Sequence, residues 1–285
     1  MDDSKFFIVG ANGQLGTALR AKYPNAKFAD IDELDITKKE SVQNYDWSNT
    51  EVILNAAAYT NVDGAETAEG RVAAWKVNAE AVKNLTYVVW KHQMKAIVHI
   101  STDYVFDGTK SNHSEDESFA PLSVYGASKA AGDLLVSQVD KHYVLRTSWV
   151  IGEGNNFVRT MLSLAEKGIE PTVVADQIGR LTFTSELVLA IDHLLSNNCE
   201  FGTYNVSNSG DAASWAEITR TIFEFAGKEL TVTDTTTKEY FAGKEGIAPR
   251  PLQSSLDLSK IQATGFESTD WKTDLKKYIE KESTK

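Results

Sequence analysis

Phe6-Phe7-Ile8-Val9-Gly10-Ala11-Asn12-Gly13-Gln14-Leu15-Gly16 is the stretch on which the fold turns. Its first four residues, aromatic or β-branched, read as a buried strand. Three glycines at even spacing follow at once, and a helical pattern runs on over about residues 13–23. A strand that breaks into a glycine turn and then a helix is the context in which such a turn cradles a dinucleotide. The glycines serve a tight turn, room for a pyrophosphate against the backbone, and close packing of helix on sheet. The helix start then offers free N–H groups and a favourable dipole to phosphate.

Outward from this stretch, the first half of the chain alternates strand-like and helical patterns. Residues 26–31, 51–55, 95–100 and 142–146 read as strands, and an alanine-rich helical stretch covers about 69–92. Such alternation predicts an α/β fold, a doubly wound parallel sheet of Rossmann type with helices on both faces. After about Val150 the rhythm loosens, with helices expected near 157–166, 183–195, 215–225 and 270–281. The expected organisation is a dinucleotide-binding domain over 1–150, joined by part of 175–205. A smaller, interleaved substrate lobe lies mainly within 151–285.

The bulk numbers narrow the function. The 285 residues suffice for one large α/β domain and a smaller lobe. A formal net charge of −11 argues against nucleic acid or anionic membrane as partner. The single cysteine, Cys199, excludes an internal disulfide and suits a reducing, cytoplasmic setting. The acidic start Met1-Asp2-Asp3-Ser4-Lys5 does not fit a signal peptide, and no apolar run approaches the roughly 20 residues that span a bilayer.

Chemistry enters with Tyr125 and Lys129, in Ser123-Val124-Tyr125-Gly126-Ala127-Ser128-Lys129. On a helix these two share a face. An ammonium close to a phenol lowers its pKa from about 10 and tunes it for proton transfer to a carbonyl. A hydroxyl partner is expected at the end of the strand through Ile100, where Ser101 and Thr102 follow. Strand alternation sends these two to opposite faces, so spacing alone does not choose between them. Asp30, twenty positions after Gly10, is placed to accept hydrogen bonds from the adenosine ribose. Its neighbour Ile31 offers no positive charge to a 2′-phosphate, so NADH is expected to serve at least as well as NADPH.

Longer runs are more specific than the glycine turn. They include Asn55-Ala56-Ala57-Ala58-Tyr59-Thr60, Ser101-Thr102-Asp103-Tyr104-Val105-Phe106-Asp107-Gly108, Arg146-Thr147-Ser148-Trp149-Val150 and Arg250-Pro251. On these the chain resembles the dTDP-4-dehydrorhamnose reductase family, extended short-chain dehydrogenases/reductases of dTDP-L-rhamnose biosynthesis for surface polysaccharides. The resemblance implies Thr102, Tyr125 and Lys129 as the catalytic set. It also implies Gly13, Gln14, Leu15, Gly16, Asp30, Asp35, Ile36, Ala58, Tyr59 and Thr60 as the dinucleotide site. Asp103, Trp149 and Arg250 are the implied substrate contacts, beside Thr102 and Tyr125. The implied reaction reduces the C4 keto group of a dTDP-linked 6-deoxy sugar with NADH or NADPH. Alternatives are a reductase of another 4-keto sugar nucleotide, and a non-catalytic relative such as the regulatory subunit of methionine adenosyltransferase.

The chain departs from the family at Leu181 and at Pro249-Arg250-Pro251-Leu252-Gln253-Ser254, both in the substrate lobe. Some relatives dimerise around Mg²⁺ held partly by a glutamate of the first helix. Ala18 stands at that position, although Glu186 matches a later one. No resident metal and no Mg²⁺-bridged dimer are therefore expected, and a monomer is favoured over a homodimer.

Overall fold

The computed structural model describes residues 2–284; Met1 and Lys285 lie outside the described residues. Five strands, β1 (Phe6–Val9), β2 (Lys27–Ala29), β3 (Val52–Asn55), β4 (Ala96–Thr102) and β5 (His142–Thr147), build the main sheet. Four short strands follow: β6 (Val150–Ile151), β7 (Thr172–Val174), β8 (Ile178–Gly179) and β9 (Thr182–Phe183). The sixth strand of the main sheet is β10 (Gly202–Asn205), and β11 (Ala213–Ser214) and β12 (Thr233–Thr235) come later. The sheet order is β2-β1-β3-β4-β5-β10, with every pairing parallel.

The helices are α1 (Gln14–Lys22), α2 (Lys39–Asn44), α3 (Ala68–Trp75), α4 (Ala81–Lys91), α5 (Val124–Val136) and α6 (Phe157–Glu166). They continue with α7 (Thr184–Ser196), α8 (Trp215–Phe225), α9 (Thr237–Tyr240), α10 (Ser259–Ala263) and α11 (Trp271–Glu282). The period-two alternation of β1 divides its four buried side chains between two cores. Phe6 and Ile8 pack with Leu15 and Leu19 of α1 and with Leu187 and Ile191 of α7. Phe7 and Val9 pack with Val82, Leu85 and Val89 of α4. Fully burying each such side chain is worth about 1.5–3 kcal/mol, which is why a run apolar on both faces becomes a central strand. A third core joins Val158 and Met161 of α6, Ile218 and Ile222 of α8, and Trp271 and Leu275 of α11.

Three local features differ from the sequence expectation. The helical stretch expected over 69–92 is α3 and α4 joined by a π turn over Lys76–Glu80, which carries Asn78 into the interior. The second strand stops at Ala29, because Asp30 leaves the ladder to accept the backbone N–H groups of Glu33 and Leu34. Strand β4 runs on through Thr102, in register with Thr147 of β5. Among the described residues no helix is long and apolar enough to cross a membrane.

Candidate active site

The strand order reverses between β1 and β3: β1 is followed in sequence by β2 on one side, and β3 lies on the other. In open α/β sheets the crevice outside the strand ends at such a point is where ligands bind. Here that crevice is a cleft of about 400 Å³ lined by Gly10, Asn12, Gly13, Asp30, Asp35, Ile36, Ala58 and Tyr59 among others.

The glycines divide the work of the turn. Gly10 has φ +75°, and a Cβ there would lie 2.6 Å from Ala57 Cα, so only glycine lets the β1 and β3 loops touch. A Cβ on Gly16 would lie 2.1 Å from the Gly10 carbonyl oxygen, which seats α1 directly on the turn. At Gly13 the nearest atom would be 3.4 Å away, leaving open backbone at the start of α1. No side chain caps that helix start, so its N–H groups face the cleft free to take phosphate. The cradle therefore fits a dinucleotide. Leu15 contributes backbone only, since its side chain is buried in the core.

Asp30 stands at the mouth of the cleft. Its Oδ2 accepts the Asn12 N–H at 2.9 Å and its Oδ1 accepts the Ile31 N–H at 2.8 Å. Each carboxylate oxygen keeps a further lone pair for a ribose hydroxyl. Asp35 and Ile36 line the same cleft; the Asp35 carboxylate also binds Thr37 (2.6 Å) and Lys38 (3.0 Å). Thr60 is exposed and does not line it.

The chemistry gathers at the carboxyl end of β4. Thr102 closes that strand, and its Oγ1 accepts the Tyr104 N–H at 3.2 Å. The Thr102 hydroxyl also stands beside the Tyr125 phenol, while Ser101 faces Asp133. The tertiary structure thus separates the two hydroxyls that spacing left equivalent. Tyr125 and Lys129 are buried on α5, whose start is capped by Ser123. Gly126 lets that helix lie on the 102–105 turn, because a Cβ there would be 2.2 Å from the Tyr104 carbonyl oxygen.

Electrostatics at this centre differ from the simple expectation. Burial pushes the Tyr125 phenol above its ordinary value; the Thr102 hydrogen bond opposes this, and the charges of Asp103 and Asp133 add to it. The Lys129 ammonium is not what sets the phenol here, because Nζ donates to the Ile100 carbonyl at 2.6 Å. Burial brings Lys129 down to about 8, against the pull of Asp133. Asp103, almost wholly buried, is raised to about 6 by desolvation, with hydrogen bonds from Ser254 and Thr102 opposing.

Several residues that sequence reasoning passed over hold this centre together. The Asn78 side chain accepts the Tyr59 N–H at 2.9 Å and donates to the Tyr59 carbonyl and to Ser128 Oγ. It therefore ties the cofactor-side loop to α5. His99 Nε2 lies 3.5 Å from Lys129 Nζ, and its Nδ1 meets Asn55 Nδ2 at 2.9 Å. Asn55 is oriented in turn by the Ala57 N–H on its Oδ1. Arg146 and Asp133 form a buried ion pair at 3.1 Å. Asn55 and Arg146 stand within the runs that carry the family resemblance, though without a role there; for Asn78, His99 and Asp133 the hint in sequence is a polar residue interrupting an apolar strand or a helix.

Of the implied substrate residues, Asp103 lies in the catalytic centre against Thr102, and Trp149 and Arg250 come from the second half of the chain. Trp149 adopts φ +48° and stacks on Trp215 with ring centroids 3.8 Å apart. Arg250 bonds Asp63 at 2.8 Å, and its guanidinium lies over Phe241. It also lines a cleft of about 420 Å³ with Gln177, Trp215, Tyr240 and Phe241.

Comparisons with known proteins agree with this fold. The family model described as the RmlD substrate binding domain matches residues 4–284. A dTDP-4-dehydrorhamnose reductase of Aggregatibacter actinomycetemcomitans is 39% identical, covering 96% of this chain and 97% of that protein. The spore coat polysaccharide biosynthesis protein SpsK of Bacillus subtilis is 35% identical over 99% of both. The crystal structure of a dTDP-4-dehydrorhamnose reductase from Bacillus anthracis, in complex with NADP, superposes with a TM-score of 0.88 at 36% identity, covering 96% of this chain and 98% of that one. On a match that runs nearly end to end, in sequence and in fold, this chain belongs to the dTDP-4-dehydrorhamnose reductase family.

Proposed function

We propose that this protein reduces the C4 keto group of dTDP-4-dehydro-6-deoxy-L-mannose to give dTDP-L-rhamnose, with NADH or NADPH as reductant. The observation that carries the reading is the meeting of Thr102, Tyr125 and Lys129 at the strand end beside the glycine-turn cleft. A reduced nicotinamide held in the glycine-turn cleft would supply the hydride that C4 takes up. Tyr125 gives its phenolic proton to the C4 oxygen, and the Thr102 hydroxyl holds that oxygen by hydrogen bonding. Lys129, on the same helix as the phenol and held by the Ile100 carbonyl, is a donor for the nicotinamide ribose. A proton donor fixed in a dry site costs no reorganisation during the step.

The cofactor-side residues in this reading are Gly10, Gly13, Gln14, Leu15, Gly16, Asp30, Asp35, Ile36, Ala58 and Tyr59; Thr60, exposed outside the cleft, is dropped from the set. Asp30 receives the ribose hydroxyls and favours NADH at least as much as NADPH. Asp103, Trp149 and Arg250 face the sugar nucleotide. The working division assigns 1–150, with part of 175–205, to the cofactor and most of 151–285 to the substrate. A reducing cytoplasm suits the free thiol of Cys199.

The test is to incubate the protein with NADH or NADPH and the keto sugar, and to identify the product by NMR. Tyr125→Phe is expected to lower turnover by about 10²–10⁴-fold while leaving cofactor binding nearly unchanged. Turnover retained above a few per cent in that variant would remove Tyr125 as the acid. A product with the opposite configuration at C4 would replace the substrate assignment and keep the chemistry.

A further inference from the structure

A cation from outside the cofactor cleft reaches its rim at Asn12. Arg20 projects from α1, ten positions before Asp30, yet its Nη1 donates to Asn12 Oδ1 at 3.3 Å. Asn12 lines the cleft, and its backbone N–H is the one bound by Asp30. The guanidinium lies over the Phe28 ring at 4.0 Å from its centroid. Phe28 is 48% exposed on β2, and this contact gives a large surface aromatic a purpose. Arg20 stands in no ion pair among the described residues.

We propose that Arg20 is the cofactor-discriminating residue of this chain, binding the 2′-phosphate of NADPH where Asp30 binds the free 2′-hydroxyl of NADH. The inference rests on the reading of the cleft as a nicotinamide dinucleotide site. A ribose held at Asp30 places its 2′ substituent at the Asn12 lip, where the Arg20 side chain ends. Five N–H donors in a planar fork suit a phosphate, and only the bond to Asn12 is spoken for. That bond is long for N–H···O, so exchanging it for a phosphate oxygen costs little. The ring beneath the guanidinium holds its plane while leaving the outer edge open.

The charge balance explains why one arginine matters here. Asp30 faces the ribose, and Glu33 Oε2 accepts the Asp30 N–H at 2.9 Å, so two carboxylates oppose a dianionic phosphate. The whole chain adds a formal net charge of −11. Without a nearby cation the site would exclude NADPH. With Arg20 beside Asp30, it accepts both dinucleotides.

Isothermal titration of NADP⁺ and NAD⁺ against wild type, Arg20→Ala and Arg20→Lys tests this without turnover. Arg20→Ala is expected to weaken NADP⁺ by about ten- to a hundredfold and to leave NAD⁺ within about twofold. Arg20→Lys is expected to fall between, since it keeps the charge and loses the fork. Retained NAD⁺ affinity shows that the variants are folded. Equal weakening of both nucleotides, or of neither, overturns the assignment of Arg20 alone. A wild-type protein that binds neither nucleotide overturns it together with the reductase reading.

Discussion

At the residue scale, the most consequential group is Asp103, which the family resemblance implies only as a substrate contact. Asp103 is 2% exposed, and burial raises its carboxyl to about 6. Its unfolded value is about 3.9. Below both values the carboxyl is protonated in either state and has no effect on stability. As pH rises, the unfolded chain ionises first, so stability falls through this window and the loss is complete above the folded value. Urea titrations of wild type and Asp103→Asn should therefore diverge between pH 4 and 7. The wild type is expected to lose on the order of 3 kcal/mol relative to the variant. Parallel curves would show that the buried carboxyl keeps its ordinary ionisation. Tyr125, Lys129 and the 101–102 hydroxyls were legible in sequence because their spacing carries chemistry. Asn55, Asn78 and His99 were not, because each acts through a partner distant in the chain.

At the element scale, the strand–turn–helix over β1 and α1 makes two glycines distinguishable. Gly16→Ala would place a methyl 2.1 Å from the Gly10 carbonyl oxygen, so α1 must lift off the turn. A loss of about 1–3 kcal/mol is expected by thermal or urea unfolding, with weakened dinucleotide binding. Gly13→Ala meets nothing closer than 3.4 Å and should leave stability nearly unchanged while obstructing the phosphates. Equal stability loss in the two variants would contradict this division. The helices of the second half fell close to their expected places because each has an apolar stripe to bury: α6, α8 and α11 pack into one core, and α7 packs against β1 and α1. The π turn over Lys76–Glu80 was not legible, since one extra residue in a helix leaves the composition of the alanine-rich run unchanged.

At the scale of the whole molecule, residues far apart in sequence close the site. Asp63, in the loop after β3, accepts the Ala248 N–H and pairs with Arg250. A diphosphate arriving between the lobes would compete for that guanidinium. Arg250→Ala is expected to raise KM for the sugar nucleotide at least about tenfold and to leave dinucleotide affinity within about twofold. An unchanged KM would remove Arg250 from the substrate site. The cleft between α1, α7 and α11 is lined by Ala18, Lys277 and Lys281. Glu186 is fully buried nearby, bonded to the Thr269 N–H. The carboxylates that line the same cleft, Asp274 and Glu153, are each paired with a lysine, Lys277 at 3.1 Å and Lys281 at 2.6 Å, and a divalent cation would have to displace both. Light scattering is expected to give one mass, that of a monomer, with either MgCl₂ or EDTA present. A mass that doubles with magnesium would reverse this.

What the sequence by itself determined is the layered α/β plan and the chemical kind of its centre. Alternating apolar runs are buried as a parallel sheet between helices, and the Tyr125–Lys129 spacing points to proton transfer because it follows a glycine-turn domain. What only the tertiary structure decided is which groups face one another. Register put Thr102 rather than Ser101 beside the phenol, burial moved Asp103 and Lys129 from their ordinary pKa values, and α1 carried Arg20 to the side chain of Asn12. Those outcomes depend on through-space distance and desolvation, and neither is written in the spacing of residues along a chain.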